Sequence, residues 1–230
     1  MVFNKIQDKL KKRSLMKRGI KLIKQDEYEM ALNCYNEVLK LDPKDISGLK
    51  NKNITLNLMG RFEEASECYH KVLGLEPESS KGWSFKGDAF NYLQRYDNAL
   101  ECYENALKLD PKNFEAWNNK GVVLKKLGKY EGAVKCYDKA LELFSKFNGH
   151  WTNKGIALIG LKEYQKALEC FDKSLELDPT DERTWYNKGI VLNKLERIQE
   201  ALKCFDKALE LDPNYEDAKK AKEKLLSSKY

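Results

Sequence analysis

The side chains able to do chemistry in this sequence are few and evenly spread. Cysteines stand at Cys34, Cys68, Cys102, Cys136, Cys170 and Cys204, and histidines at His70 and His150. A zinc site gathers thiolates and imidazoles at short spacings, and no Cys-x-x-Cys pair occurs. Neither histidine stands at a motif spacing from a Cys, Ser or Asp that would make a nucleophile and its base. Gly121 to Lys129 approaches a phosphate loop, but its glycines are seven residues apart and Tyr130 stands where Ser or Thr is needed. The expectation is therefore no catalytic residue, no metal site, no cofactor and no enzymatic activity.

What the cysteines do reveal is a step of 34 residues. Ala31, Ala65, Ala99, Ala133, Ala167 and Ala201 keep it, and so do Tyr35, Tyr69, Tyr103, Tyr137, Phe171 and Phe205. Leu39, Leu73, Leu107, Leu141, Leu175 and Leu209 form a further series, and no insertion breaks the register over residues 12–215. Such a period marks a stack of like units, each too small to bury its own apolar face. Cysteines at one packing position of stacked helices sit about 8–10 Å apart, too far for a disulfide, which needs Cα atoms within about 7 Å. They are expected as small free hydrophobes.

Each unit reads as two helices, A then B. In the fourth, Trp117, Gly121, Leu124 and Leu127 recur at helical spacing, Gly128 breaks the pattern, and Ala133, Tyr137, Ala140 and Leu141 resume it. Leu-Asp-Pro ends most units, at Asp42-Pro43, Asp110-Pro111, Asp178-Pro179 and Asp212-Pro213. Proline disfavours helical geometry in the residue before it, and Asp suits a turn.

Units starting at 12, 46, 80, 114, 148 and 182 place Trp or Leu at position 4, Gly at 8, Leu at 11, an aromatic at 17, Ala at 20, Tyr or Phe at 24, Ala at 27 and Pro at 32. This pattern resembles the tetratricopeptide repeat, in six tandem copies covering residues 12–45, 46–79, 80–113, 114–147, 148–181 and 182–215. The resemblance implies an all-α chain, a right-handed α-solenoid (superhelix) of six helix pairs, whose concave groove is lined by helix A. Residues 216–230 read as a C-terminal capping helix, with Ala218, Ala221 and Leu225 inward and Lys219, Lys220, Lys222 and Lys224 outward. Residues 1–11, with Val2, Phe3, Ile6 and Leu10, either extend the first helix or cover its exposed side. Two departures stand out. Position 7 is basic in every unit (Arg18, Lys52, Lys86, Lys120, Lys154, Lys188), with its stem expected to pack and its charge to reach water. The fourth unit ends Leu143-Phe144-Ser145, a junction expected to be looser or differently angled.

In the resembled family, positions 2, 5, 6, 9, 12 and 13 face the ligand. Here position 6 is Asn51, Asn119, Asn153 and Asn187 in four units. A carboxamide both donates and accepts, so a row of them suits the backbone of an extended peptide. Among the 36 ligand-facing positions the basic residues are Arg13, Lys17, Lys24, Lys50, Lys81, Lys125, Lys126, Arg183 and Lys194, and the acids are Asp88 and Glu115. The surplus of seven positive charges exceeds the chain's net charge of +6. Concentrated charge of one sign steers ligands of the other. The expected function is a protein–protein interaction scaffold binding an extended acidic or neutral peptide.

Chaperone C-terminal tails are not supported as ligands. The carboxylate clamp of the resembled family would need Lys and Asn at Ser84 and Asp88, or at Met16 and Ile20, and the other two asparagines fail similarly. A nucleic-acid-binding solenoid is the first alternative, with Phe85, Tyr92 and Tyr186 as stacking platforms. Against it, the face carries two Arg, and Lys lacks their bidentate geometry. Self-assembly through the solenoid ends, by way of Phe3 and Ile6, is the second. No apolar run approaches the roughly 20 residues of a membrane span, and no export signal is visible, so a cytoplasmic location is expected.

Overall fold

The computed structural model describes residues 2–75 and 79–227. The side chains of Val2, Phe3, Ile6, Tyr69, His70 and Leu73, all singled out above, lie outside the described residues. Among the described residues the chain is all helix: α1 (Val2–Ile23), α2 (Tyr28–Leu41), α3 (Ile46–Leu58), α4 (Phe62–Leu75), α5 (Ser80–Tyr92), α6 (Tyr96–Leu109), α7 (Phe114–Lys126), α8 (Tyr130–Leu143), α9 (Asn148–Gly160), α10 (Tyr164–Leu177), α11 (Glu182–Lys194), α12 (Ile198–Leu211) and α13 (Glu216–Ser227). The chain divides into two compact units, Met1–Pro111 and Lys112–Tyr230. In the first, α1–α2, α3–α4 and α5–α6 form hairpins, and α2 packs on α3 and α4 on α5. In the second, the hairpins are α7–α8, α9–α10 and α11–α12; α8 packs on α9, α10 on α11, and α12 on the capping helix α13. Residues 2–11 continue straight into the first helix A.

One contact closes the hairpins. The aromatic ring at position 24 of helix B lies against the glycine at position 8 of helix A. A Cβ on Gly19, Gly87, Gly155 or Gly189 would stand 2.6 Å from a ring atom of Tyr35, Tyr103, Phe171 or Phe205, and one on Gly121 would stand 2.7 Å from Tyr137. These rings are fully buried and have nowhere to go. The second repeat has Asn53 instead. Its carboxamide, 2% exposed, turns into the hairpin and donates to the carbonyl of Ala65 (2.6 Å).

The turn between helices A and B is equally regular. Position 15 adopts the left-handed region in every repeat: Asp26, Gly60, Gln94, Gly128, Lys162 and Glu196, with φ from 57° to 73°. The next N–H then reaches back to the carbonyl at position 11, as Glu163 does to Leu158 (2.9 Å), the bond that ends a Schellman-type cap. Only two of the six residues are glycine, so four non-glycine side chains accept an unfavourable conformation. At the start of four of the A helices the cap is a side chain. Asp45, Ser79, Asn113 and Asp181 each accept a backbone N–H of the first turn.

Two expectations need correction. At the Leu143-Phe144-Ser145 junction the end of α8 keeps the usual geometry, whereas α9 starts from Phe147 without a side-chain cap. Phe144 caps α8 with φ −151° and ψ 93°, beside −143° and 94° for Asp178. An aromatic cluster surrounds the junction: Phe144 lies 4.9 Å from Phe114, and Phe147 lies 4.9 Å from His150. His150 is 3% exposed, and its Nδ1 lies 3.3 Å from the Phe144 carbonyl. The second correction concerns the lysines at position 7, whose charge is used rather than only solvated. Lys154 pairs with Asp138 and Lys188 with Asp172, each at 2.6 Å, joining helix A to helix B of the preceding repeat. In α13, Lys222 repeats the bond to Asp206 (2.6 Å) instead of pointing away. Lys86, Lys120, Lys154 and Lys188 also lie 5.0–6.0 Å above the position-4 tryptophan of their own helix, within cation–π range.

Three predictions follow from this packing. Gly155→Ala should lower the urea-unfolding free energy by about 1–3 kcal/mol, because Phe171 cannot retreat. Lys162→Gly should raise it by about 0.5–1 kcal/mol by relieving the left-handed strain. Burial holds the His150 pKa below its ordinary value, against the opposing pull of the Phe144 carbonyl and Glu115. The folded chain then binds fewer protons there than the unfolded chain, so this contribution is complete above about pH 6.5 and fades as pH falls through the folded pKa. In urea melts between pH 7.5 and 5 the wild type should lose stability more steeply than His150→Phe as pH falls.

Candidate functional site

The cysteines and His150 are inward-facing. All six cysteines are buried with free thiols. Burial pushes Cys102, Cys170 and Cys204 up to about 11, so little nucleophilic thiolate exists at neutral pH. His150 sits inside the aromatic cluster. Among the described residues, no three His, Cys, Asp or Glu side chains converge as metal ligands. The residues expected to meet a ligand stand on the A helices, which are α1, α3 and α5 in the first unit and α7, α9 and α11 in the second.

In the second unit these helices carry a chain of carboxamides. Asn153 Nδ2 on α9 donates to Asn118 Oδ1 on α7 (3.2 Å), and Asn118 Nδ2 donates to Asn119 Oδ1 (3.0 Å). Asn118, at position 5, was missed by the reading of position 6 alone; its neighbour Asn119 was the available signal. Asn187 on α11 instead donates to the carbonyl of Arg183 (2.7 Å) in its own helix. In the first unit Asn51 on α3 does the same with Ser47 (2.8 Å). One bond leaves each carboxamide further N–H and lone-pair capacity.

The basic residues also fall into the two units. Lys125 on α7 is half-buried, and its pKa is lowered by that burial and by the charges of Arg183 on α11 and Lys126 beside it. Three cations are thus brought together, and Lys125 and Arg183 form no ion pair among the described residues. Lys194 lies exposed at the end of α11. In the first unit Lys17 and Lys24 are exposed, while Lys50 is half-buried on α3 with its Nζ 5.5 Å above the ring of Phe85.

Not every position expected to face a ligand does so. At position 5, Ser84 and Thr152 are each 6% exposed. Thr152 is locked into a hydroxyl network with Ser174 and Thr184, both at 2.7 Å, and Thr184 donates on to Asp181 (2.7 Å). Small polar side chains at this spacing bond between helices rather than to a ligand. Phe85, expected as a stacking platform for bases, is 3% exposed and cannot receive one. Tyr186 is packed between Phe205 and Tyr215, with centroids at 6.1 and 5.2 Å. Tyr92 alone of the three is exposed. Among the described residues no helix is long and apolar enough to cross a membrane.

Models of the tetratricopeptide repeat match residues 13–45, 55–79, 114–147, 150–181 and 182–215, and a TPR repeat model matches residues 87–128. No curated protein matches the sequence. Among solved structures the chain is similar to one from the APC/C hetero-tetramer Cut9–Hcn1, at 19% identity and TM-score 0.80, over 94% of this chain and 43% of that one. The chain thus spans less than half of that protein's length. It is also similar to YrrB, a TPR protein with an unusual peptide-binding site, at 24% identity and TM-score 0.61, covering 82% of this chain and 97% of that one. PilF of Pseudomonas aeruginosa matches at 17% identity and TM-score 0.69, over 93% and 97%. At these identities the likeness is one of fold.

Proposed function

From the premise that this chain belongs to the tetratricopeptide repeat family, whose fold is a protein–protein interaction scaffold, we propose that it binds an extended, acidic to neutral peptide segment along its A helices, and that it acts by binding rather than catalysis. The observation that carries the reading is the convergence of Lys125, Lys126 and Arg183 on the A-helix face of the second unit. Burial, and after it the charges of Arg183 and Lys126, lower the Lys125 pKa, a cost to its charged form that an anionic ligand would relieve. Beside them, the carboxamides of Asn119, Asn153 and Asn187 offer donors and acceptors that suit a peptide backbone whatever its side chains. Lys194 borders the same helix, and Lys17, Lys24, Lys50 and Asn51 offer a similar combination in the first unit. Buried free thiols suit a reducing compartment, in keeping with the cytoplasmic setting proposed for the chain.

The test uses a fluorescein-labelled acidic peptide of about eight residues and a neutral counterpart, titrated by anisotropy at low and high salt. The acidic peptide should bind more tightly, and its advantage should shrink with salt. Asn153→Ala with Asn187→Ala should weaken binding at both salts, by about 1–3 kcal/mol for each asparagine whose partner is left unsatisfied. Lys125→Ala with Lys126→Ala should weaken it chiefly at low salt, mainly by slowing association. If neither pair alters affinity while substitutions on the B helices do, the ligand lies on the opposite face and this reading is wrong.

A further inference from the structure

The charge of the chain is concentrated in its first helix. α1 (Val2–Ile23) holds eight basic residues and one acid, a charge of +7 against +6 for the whole sequence. Arg13, Lys17, Lys21 and Lys24 follow one another at steps of four, four and three, the spacing that keeps residues on one side of a helix. Lys24 prolongs the last turn, its N–H reaching the Ile20 carbonyl (3.4 Å). All four side chains are exposed, and none forms an ion pair among the described residues. Leu10 stands on the same stripe, three residues before Arg13. At 62% it is the most exposed of the large apolar side chains described. Ile6 and Phe3 stand four and seven residues before it in the sequence.

The other side of α1 is the packed one. Gly19 lies against the Tyr35 ring of α2, and Leu15, Met16, Leu22 and Ile23 gather beside it. The stripe differs from its counterparts in later repeats. At position 10, Thr55, Ala89, Ala157 and Val191, with Leu225 in α13, are 0–7% exposed, on helices that each receive a preceding helix B. In α1 that position is the exposed Lys21. Lysine does not suit a dry seam between helices, so this face of α1 is made for water or for a charged surface. No acid balances it. Asp8 is two residues from Leu10 and so across the helix from the stripe. The acids of the elements beside α1 are engaged: Asp42 and Asp45 hold Lys12 (2.9 and 2.6 Å), Glu37 pairs with Lys40 (2.6 Å), Glu29 with Arg61 (3.6 Å), and Asp26 accepts the Tyr28 hydroxyl.

We propose that α1 is a peripheral membrane-binding helix. It lies flat on an anionic lipid bilayer, with Leu10 entering the boundary between headgroups and acyl chains and Arg13, Lys17, Lys21 and Lys24 meeting lipid phosphates. The four cations span about 16 Å along the helix, so they meet several headgroups at once. Clustered Lys and Arg on a helix with apolar residues exposed beside them is the combination that an anionic leaflet attracts. So charged a helix rests on a bilayer rather than crossing it. A nucleic acid would be held by the cations alone and would gain nothing from Leu10. The proposal is independent of the peptide-scaffold reading and adds a surface on which the scaffold is held. Lys17 and Lys24 belong to both readings, so the variants below leave them in place.

The experiment sediments the full chain with vesicles of phosphatidylcholine alone, or of phosphatidylcholine with about one third phosphatidylglycerol. Binding to the anionic vesicles should be at least about tenfold tighter than to the neutral ones, and the difference should shrink with salt. Arg13→Gln with Lys21→Gln should weaken binding to the anionic vesicles about twentyfold, at roughly fivefold for each cation. Leu10→Asn should weaken it about tenfold by removing the inserted side chain. Lys125→Ala with Lys126→Ala, in the second unit, should leave it unchanged. All three α1 positions are exposed, and a circular dichroism melt checks that the fold survives. A short DNA duplex serves as a second polyanion. If the duplex binds as tightly as the anionic vesicles and Leu10→Asn leaves both affinities unchanged, α1 is a general polyanion site and the membrane proposal is wrong. It is equally wrong if the anionic vesicles are not bound, or if the α1 variants bind them as the wild type does. None of these results alters the affinity for the labelled acidic peptide in the Lys125/Lys126 comparison, which tests the scaffold reading separately.

Discussion

An aromatic ring resting on a glycine is the contact on which the rest of this structure depends. In five of the six repeats the ring at position 24 occupies the volume where a Cβ at position 8 would stand. That fixes the separation of helices A and B. With the separation set, alanines such as Ala133, Ala167 and Ala201 are driven to complete burial, and each thiol of the cysteine series fits as a small hydrophobe one residue before the ring. The second repeat solves the same problem differently. Asn53 brings its own hydrogen-bond requirement into the hairpin, meets it on the Ala65 carbonyl, and accepts a bond from Asn57.

Between repeats a second device operates. Lysine at position 7 lies over the tryptophan of its own helix and reaches the aspartate of the preceding helix B. Such pairs are partly exposed, and each contributes on the order of 0–1 kcal/mol, so apolar burial holds the stack and the ion pairs help set its register. The same bond from Lys222 docks the capping helix as though it were one more helix A.

On the A helices the two units differ in character. The second presents converging cations beside linked carboxamides. The first presents exposed apolar side chains around a recess that Lys50 and Asp88 both line.

The 34-residue step, the helix pairs, the glycine–aromatic pairing and the capping helix were legible in the sequence because each follows from a periodic pattern of residue size and polarity. The surplus of positive charge was counted at positions that the family resemblance assigns to the ligand. What the tertiary structure decided were the partners that no spacing reveals. It sent Lys154, Lys188 and Lys222 to Asp138, Asp172 and Asp206, set an aromatic cluster at the Phe144 junction, and buried Phe85, Ser84 and Thr152. It turned Asn51 and Asn187 onto their own helices while linking Asn153 to Asn118. The physical reason is common to all of these. A repeat pattern specifies which way a side chain points from its helix, whereas its hydrogen bonds, ion pairs and exposure depend on the non-identical residues that the neighbouring repeat brings within a few ångströms.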